Sequence, residues 1–103
     1  MSDSPVHIVA NLMIEDEDEY MAYQKGFFPI LKKHGGELIT YDDAAKTFEG
    51  DNPVKGRFIL ARFPSAAAAQ AWYDDPDYQA ISQHRRAGTK LNFLTMLNSM
   101  PSR

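Results

Sequence analysis

The side chains of this sequence that could carry chemistry are few and widely spaced. There is no cysteine, so disulfides, thiolate catalysis and Cys-ligated metal sites are excluded. The three histidines, His7, His34 and His84, lack the i, i+4 spacing that places two metal ligands on one helix face. No GxGxxG, P-loop or GxSxG motif occurs, so the usual signals of nucleotide-binding and α/β-hydrolase sites are missing. We therefore expect neither a metal nor an organic cofactor.

One candidate ligand site lies on a predicted sheet. Apolar residues at alternate positions over Val6–Ile14 predict a strand with one buried face. The intervening positions include His7 and Asn11. The same alternation brings Arg62 and Asn92 to that side from neighbouring strands. Because a buried polar group without a partner costs about 1–3 kcal/mol, these four side chains either bond to one another or line a cavity for a small organic acid or aromatic.

A second candidate site lies on the helix side of the sheet. Trp72 falls near a break between two helical segments, where an aromatic either lines a pocket or fills the core. His34 stands at a helix end beside two glycines, where a histidine also serves as a capping residue. Arg85 is a separate candidate: next to Arg86, it could bind an anionic ligand group, pair with a carboxylate across a dimer, or lie in solvent. The sequence leaves open which side carries the pocket.

The elements that must position these residues follow the order β, α, β, β, broken α, β. Asp16 is expected to cap a helix over about 17–34, with Glu19 reaching back as in a capping box, and Gly35-Gly36 ends it. The other elements are strands at 38–41, resuming at 47–49, and at 57–63, helical pieces at 66–73 and from 76 to about 88, and a last strand at 90–97. A turn is predicted at 50–53.

Length and composition predict one globular domain. The chain has 103 residues, 44% hydrophobic and 24% charged, so we treat 1–103 as a single domain with its core at about 6–97. A net charge of −3 offers no broad attraction for nucleic acid or an anionic membrane. No secretory signal or membrane-spanning run is recognisable. A soluble, cytoplasmic protein without nucleic-acid or membrane partners is expected.

Several short stretches carry a family resemblance over nearly the whole chain. They are His34-Gly35-Gly36, Glu49-Gly50-Asp51, Phe63-Pro64-Ser65, Ala71-Trp72-Tyr73, Pro76 with Tyr78-Gln79, and Arg85. In order and spacing the chain resembles the domain-of-unknown-function 1330 family of the dimeric α+β barrel (ferredoxin-like) superfamily. Arg62 and Asp75 depart from the family pattern, which has a carboxylate and a serine there. The resemblance implies a βαββαβ sandwich whose antiparallel four-stranded sheet has helices on one face and pairs with a second copy.

Two functions follow from this architecture. We expect a homodimer, because Val9, Met13, Leu94 and Met96 would otherwise leave an apolar uncovered face. We expect it to bind a small, partly apolar molecule; the family has no generally assigned activity, and the alternative is a cofactor-independent oxygenase or isomerase, by analogy with the wider superfamily.

An RNA-binding module shares the same order of elements. That fold stacks bases on aromatics of its two central strands. Here the corresponding positions are expected to carry Ile8, Arg57 and Ile59. Because none of these is an aromatic platform and the chain is acidic, RNA binding is disfavoured.

Overall fold

The computed structural model describes residues 4–52 and 54–100. Its elements in chain order are β1 (Val6–Ile14), α1 (Glu17–Lys33), β2 (Glu37–Asp42), β3 (Arg57–Phe63), α2 (Ala66–Asp74), α3 (Pro76–Gly88) and β4 (Thr89–Asn98). The strands form one antiparallel sheet of order β2-β3-β1-β4. The predicted ferredoxin-like α+β sandwich, with its second helix broken in two, is therefore confirmed.

The start of α1 follows the predicted cap in part. The Asp16 carboxylate accepts hydrogen bonds from the backbone N–H groups of Asp18 and Glu19, at 3.1 and 3.2 Å. The return half of the capping box is wrong, since the Glu19 carboxylate lies 2.6 Å from Nδ1 of His84 on α3. The Asp16 N–H instead donates to the Gly88 carbonyl at 3.0 Å. Because that backbone donor is already satisfied, Glu19 is free to link α1 to α3.

The connection between β2 and β3 is irregular over the described residues 43–52 and 54–56. The strand predicted at Thr47-Phe48-Glu49 is therefore wrong. Phe48 is 84% exposed, so its side chain does not pack against the sheet or the helices. Of the turn predicted at 50–53, the structure describes residues 50–52. Pro53 lies outside the described residues.

The hydrophobic core fills the space between the helices and one face of the sheet. Its large side chains are aromatic: Tyr20, Tyr23, Phe27, Phe63, Trp72 and Tyr78. The Tyr78 ring lies 4.3 Å from that of Trp72, and its hydroxyl lies 3.0 Å from that of Tyr23. A Cβ at Gly26 would lie 2.8 Å from Cγ2 of Ile81, so the bare position lets α1 and α3 approach closely. Tight packing therefore holds the helices against this face of the sheet.

The predicted orientation of β1 is confirmed. Ile8, Ala10 and Leu12 border a small apolar space together with core residues of the helices. Because successive strand residues face opposite sides, His7 and Asn11 lie on the uncovered face.

A β-bulge reverses the predicted alternation on β4. Asn11 pairs with Phe93 whereas Leu12 pairs with Leu91, so Asn92 is an extra residue between them. One extra residue moves all following side chains to the other face. Leu94 and Met96 therefore pair with Ala10 and Ile8 on the helix side, and their predicted place on the uncovered face is wrong. Phe93 and Leu97 lie there instead.

Candidate functional site

Two of the predicted site residues are joined on the uncovered face. Asn11 is 2% exposed; its Nδ2 donates to the carbonyl oxygens of Lys55 (3.0 Å) and Arg57 (3.2 Å). Its Oδ1 accepts a hydrogen bond from Asn92 Nδ2 at 3.1 Å. Between the two carbonyls, Gly56 has a φ of 89°, a conformation that favours glycine. The Asn11 amide is therefore satisfied within the chain and holds the β2–β3 connection against β1.

The other two residues of that set lie nearer the opposite end of β1. His7 pairs in register with Arg62, and Arg62 Nη1 lies 3.3 Å from Oε1 of Glu37 on β2. At a rise of about 3.3 Å per residue, His7 and Asn11 are separated by about 13 Å along the strand. A single copy of the chain therefore presents two separate polar groups on the uncovered face.

A cavity of about 700 Å³ lies between α2, α3 and the edge strand β4, on the helix side of the sheet. The helices contribute Trp72 and Tyr73 from α2 and Arg85 and Arg86 from α3. The strand contributes its helix-facing residues Thr89, Leu91, Leu94 and Met96. Small-molecule sites usually have volumes of about 300–1,000 Å³ and combine apolar walls with a few polar groups. The cavity has both properties.

Two residues that line this cavity each have a buried donor without a hydrogen-bond acceptor among the described residues. The donors are Nε1 of Trp72 and Nε of Arg85, on side chains that are 3% and 4% exposed. Buried polar groups are nearly always hydrogen-bonded. An acceptor that reached either of these donors would therefore be stabilised.

His34 takes part in a different cluster. Its Nε2 lies 2.7 Å from Oδ2 of Asp75, and Lys33 Nζ lies 2.9 Å from the same oxygen. The other carboxylate oxygen accepts from the Asp77 backbone N–H at 2.8 Å and so caps α3. Hydrogen bonds from His34, Lys33 and Asp77 hold the pKa of Asp75 well below its usual range. The cluster joins the end of α1 to the start of α3, and His34 is not among the described residues that border the cavity lined by Trp72.

We expect Asp75→Asn to lower the free energy of unfolding at neutral pH, with the loss fading in acid. Asparagine is also a good N-cap, so the variant removes the charge of Asp75 while keeping a residue that can cap α3. A carboxyl whose pKa is lowered by folding stabilises the protein at pH values above its unfolded pKa of about 4. This stabilisation is lost as the pH falls through the folded pKa. Urea unfolding at several pH values measures the difference, with Asp74→Asn as the control. An equal loss at pH 7 and pH 3 would contradict the charge argument.

The strand wall of the cavity is the part that sequence reasoning missed. Strict alternation from Asn92 assigned Leu94 and Met96 to the opposite face. The sequence contains one signal for the bulge, the asparagines Asn11 and Asn92, which form a hydrogen bond to each other there. Recognising it required the pairing of β1 with β4, which local sequence does not specify.

The part of the chain that the structure describes contains no group of three or more His, Asp or Glu side chains placed to hold a metal ion. None of the helices within residues 4–52 and 54–100 is long and apolar enough to cross a membrane.

Solved structures with the same arrangement of helices and strands define the class to which this fold belongs. RPA0582, a protein of unknown function from Rhodopseudomonas palustris, has a TM-score of 0.80 and 20% identity, over 97% of this chain and 85% of that one. SnoaB, a cofactor-independent oxygenase from Streptomyces nogalater, has a TM-score of 0.66 and 11% identity, over 96% of each chain. At these identities the likeness shows the fold alone. The shared fold is the ferredoxin-like α+β sandwich.

Within that class, the chain belongs to the family described as domain of unknown function DUF1330, whose sequence profile matches residues 5–98. The match spans all the described helices and strands, and it confirms the resemblance carried by the short motifs. No curated protein matches the chain.

Proposed function

We propose that this domain binds a small, partly apolar molecule in the helix-side cavity. The observation that carries the proposal is the cavity itself, about 700 Å³ in volume and bordered by Trp72, Leu94 and Met96. Arg85 adds a charged group to this largely apolar surface. A ligand with an apolar body and one polar group matches such walls. In this proposal Asn11 and Asn92 have a structural role, and the ligand contacts are made by Trp72 and Arg85.

Intrinsic fluorescence tests the proposal, because Trp72 is the only tryptophan. A screen of small organic molecules should yield a ligand that raises the melting temperature and changes the Trp72 emission at the same concentrations. Leu94→Phe, which narrows the cavity, should weaken that ligand at least tenfold, about 1.4 kcal/mol.

Leu97→Phe is the matched control, because Leu97 lies on the same strand but on the uncovered face. It should leave the affinity unchanged. A ligand that binds Leu94→Phe normally, and that shifts the NMR signals of His7 or Arg62, would place the site on the uncovered face and contradict the proposal.

We further propose that two copies associate through their uncovered faces. In support, the middle of that face is apolar: Val9 pairs with Leu60 across the two central strands, and the rings of Phe58 and Phe93 lie 6.1 Å apart. Leu97 is 50% exposed. Contiguous apolar surface of this kind is usually covered by a partner. Sedimentation equilibrium should give about twice the chain mass of 11.6 kDa, and a monomer at micromolar concentration would contradict the dimer.

A second candidate function is cofactor-independent oxygenation of the bound molecule. SnoaB, whose name describes it as such an oxygenase, shares the fold over 96% of this chain. Oxygen uptake with each ligand from the screen, measured with a chelator and no added cofactor, tests this candidate. Binding without oxygen uptake or any change in the ligand would favour a binding protein.

A further inference from the structure

Arg85 differs from Arg57 and Arg62, whose charges are paired, and from Arg86, which is exposed. Arg57 lies 2.6 Å from the Asp43 carboxylate and Arg62 lies 3.3 Å from that of Glu37. Arg85 is 4% exposed, and no carboxylate of the described residues forms an ion pair with it. A buried charge is costly unless an opposite charge and hydrogen bonds compensate it. Arg85 therefore needs an anionic partner that the described residues do not supply.

The surroundings of Arg85 indicate where that partner comes from. Its guanidinium lies 5.8 Å from the centre of the Tyr23 ring. The ring offers a cation–π contact but no negative charge. Arg85 borders the helix-side cavity beside Arg86, and the lining contains no acidic residue among those described. The cavity is therefore the side from which a negative charge can reach Arg85.

The donors at the cavity also restrict the chemistry of the ligand. Guanidinium and indole N–H groups only donate hydrogen bonds. Trp72 Nε1 and Arg85 Nε both lack an acceptor among the described residues. A planar carboxylate presents two acceptor oxygens and pairs well with a guanidinium, and the walls formed by Leu94 and Met96 suit an apolar remainder.

We propose that the helix-side cavity is specific for small organic carboxylates with an apolar body, and that Arg85 is its anion-binding residue. The inference rests on the proposed function and adds the charge of the ligand to it. The ligand carboxylate pairs with Arg85, and Trp72 Nε1 donates a further hydrogen bond to the bound molecule.

Matched probes test the charge of the ligand. Phenylacetate and hexanoate are compared with phenylacetamide and hexanamide by NMR titration of the ¹⁵N-labelled protein. The single indole N–H signal, from Trp72, reports on the cavity directly. We expect the carboxylates to shift this signal and to bind at least tenfold more tightly than their amides. Equal binding of acid and amide would overturn the carboxylate inference and leave the cavity proposal standing. No shift of the Trp72 signal with any of the four probes would also overturn the carboxylate inference, while the cavity proposal is decided by the wider ligand screen.

Variants of Arg85 test its role. Arg85→Gln should abolish the preference for carboxylate over amide, and Arg85→Lys should keep most of it because the charge remains. Lys25→Gln is the control, because Lys25 is an exposed residue of α1 that does not border the cavity; it should change the affinity less than threefold. Without ligand, Arg85→Gln should also melt at a higher temperature than the native protein, since it removes a buried charge that lacks a partner.

Two outcomes would overturn the role of Arg85. One is an unchanged carboxylate preference in Arg85→Gln. The other is a crystal structure of the native protein in which a carboxylate of a second copy pairs with Arg85. Should Arg85→Gln fail to fold, Arg85→Lys and the comparison of acid with amide still decide the question.

Discussion

Tyr78→Ala should lower the free energy of unfolding by about 4 kcal/mol, a large part of the 5–15 kcal/mol typical of domains of this size. Tyr78 has no exposed surface, and its ring packs at centroid distances of 4.3 Å from Trp72 and 6.2 Å from Tyr23. Truncation leaves a cavity among aromatics on α1 and α2. It also removes the hydroxyl that lies 3.0 Å from the buried Tyr23 hydroxyl, and an unsatisfied buried hydroxyl adds about 1–3 kcal/mol.

Tyr78→Phe separates the two contributions. It keeps the ring and removes only the hydroxyl, so we expect a loss of about 1 kcal/mol. Urea unfolding followed by circular dichroism measures both variants, at one protein concentration because association changes apparent stability. If Tyr78→Ala costs no more than Tyr78→Phe, the aromatic packing around Tyr78 is not what stabilises the core.

The order of the elements could be predicted because the signals that set it are local. Asp16 caps α1 through hydrogen bonds to residues two and three positions ahead. Ser65 caps α2 by accepting a hydrogen bond from the Ala68 N–H at 3.1 Å. Asp75, followed by Pro76, ends one helix and caps the next. Each of these contacts spans a few residues, so the helix bounds follow from the residue types.

The faces of the strands could be predicted only where alternation is regular. On β4 the alternation depends on the bulge at Asn92, which bonds to a residue 81 positions away. On β3 the position of the aromatic also differs from the prediction: Ile59 packs against the core, whereas Phe58 lies on the uncovered face opposite Asn11. The prediction that the central strands present no aromatic platform for RNA is therefore wrong. The absence of RNA binding stays a prediction, supported by the net charge of −3.

The fold groups the candidate site residues differently from the sequence prediction. Trp72 and Arg85, chosen for separate reasons, border one cavity. His34, which had been grouped with Trp72, instead pairs with Asp75, and this pairing required the fold to bring α1 against the junction of α2 and α3. Residue type indicated which side chains could bind a ligand. Only the packing of α2 and α3 on β4 determines which of them share a space.

Leu60→Lys should convert the proposed dimer into a monomer. Leu60 lies on β3 and pairs with Val9 on β1, and these are the two central strands of the sheet. In a two-fold symmetric interface the substitution occurs twice, so two lysines would be buried near the middle of an apolar contact. Because an unpaired buried charge costs several kcal/mol, we expect the dissociation constant to rise at least a hundredfold, about 3 kcal/mol. Sedimentation velocity over a wide range of protein concentrations measures the dissociation constant, and circular dichroism shows whether the variant folds.

Met21→Lys is the control, since Met21 is 55% exposed on α1 and its substitution should leave the dimer intact. If Met21→Lys dissociated the protein and Leu60→Lys did not, the copies would associate through their helices, and the uncovered sheet face would be free for another partner.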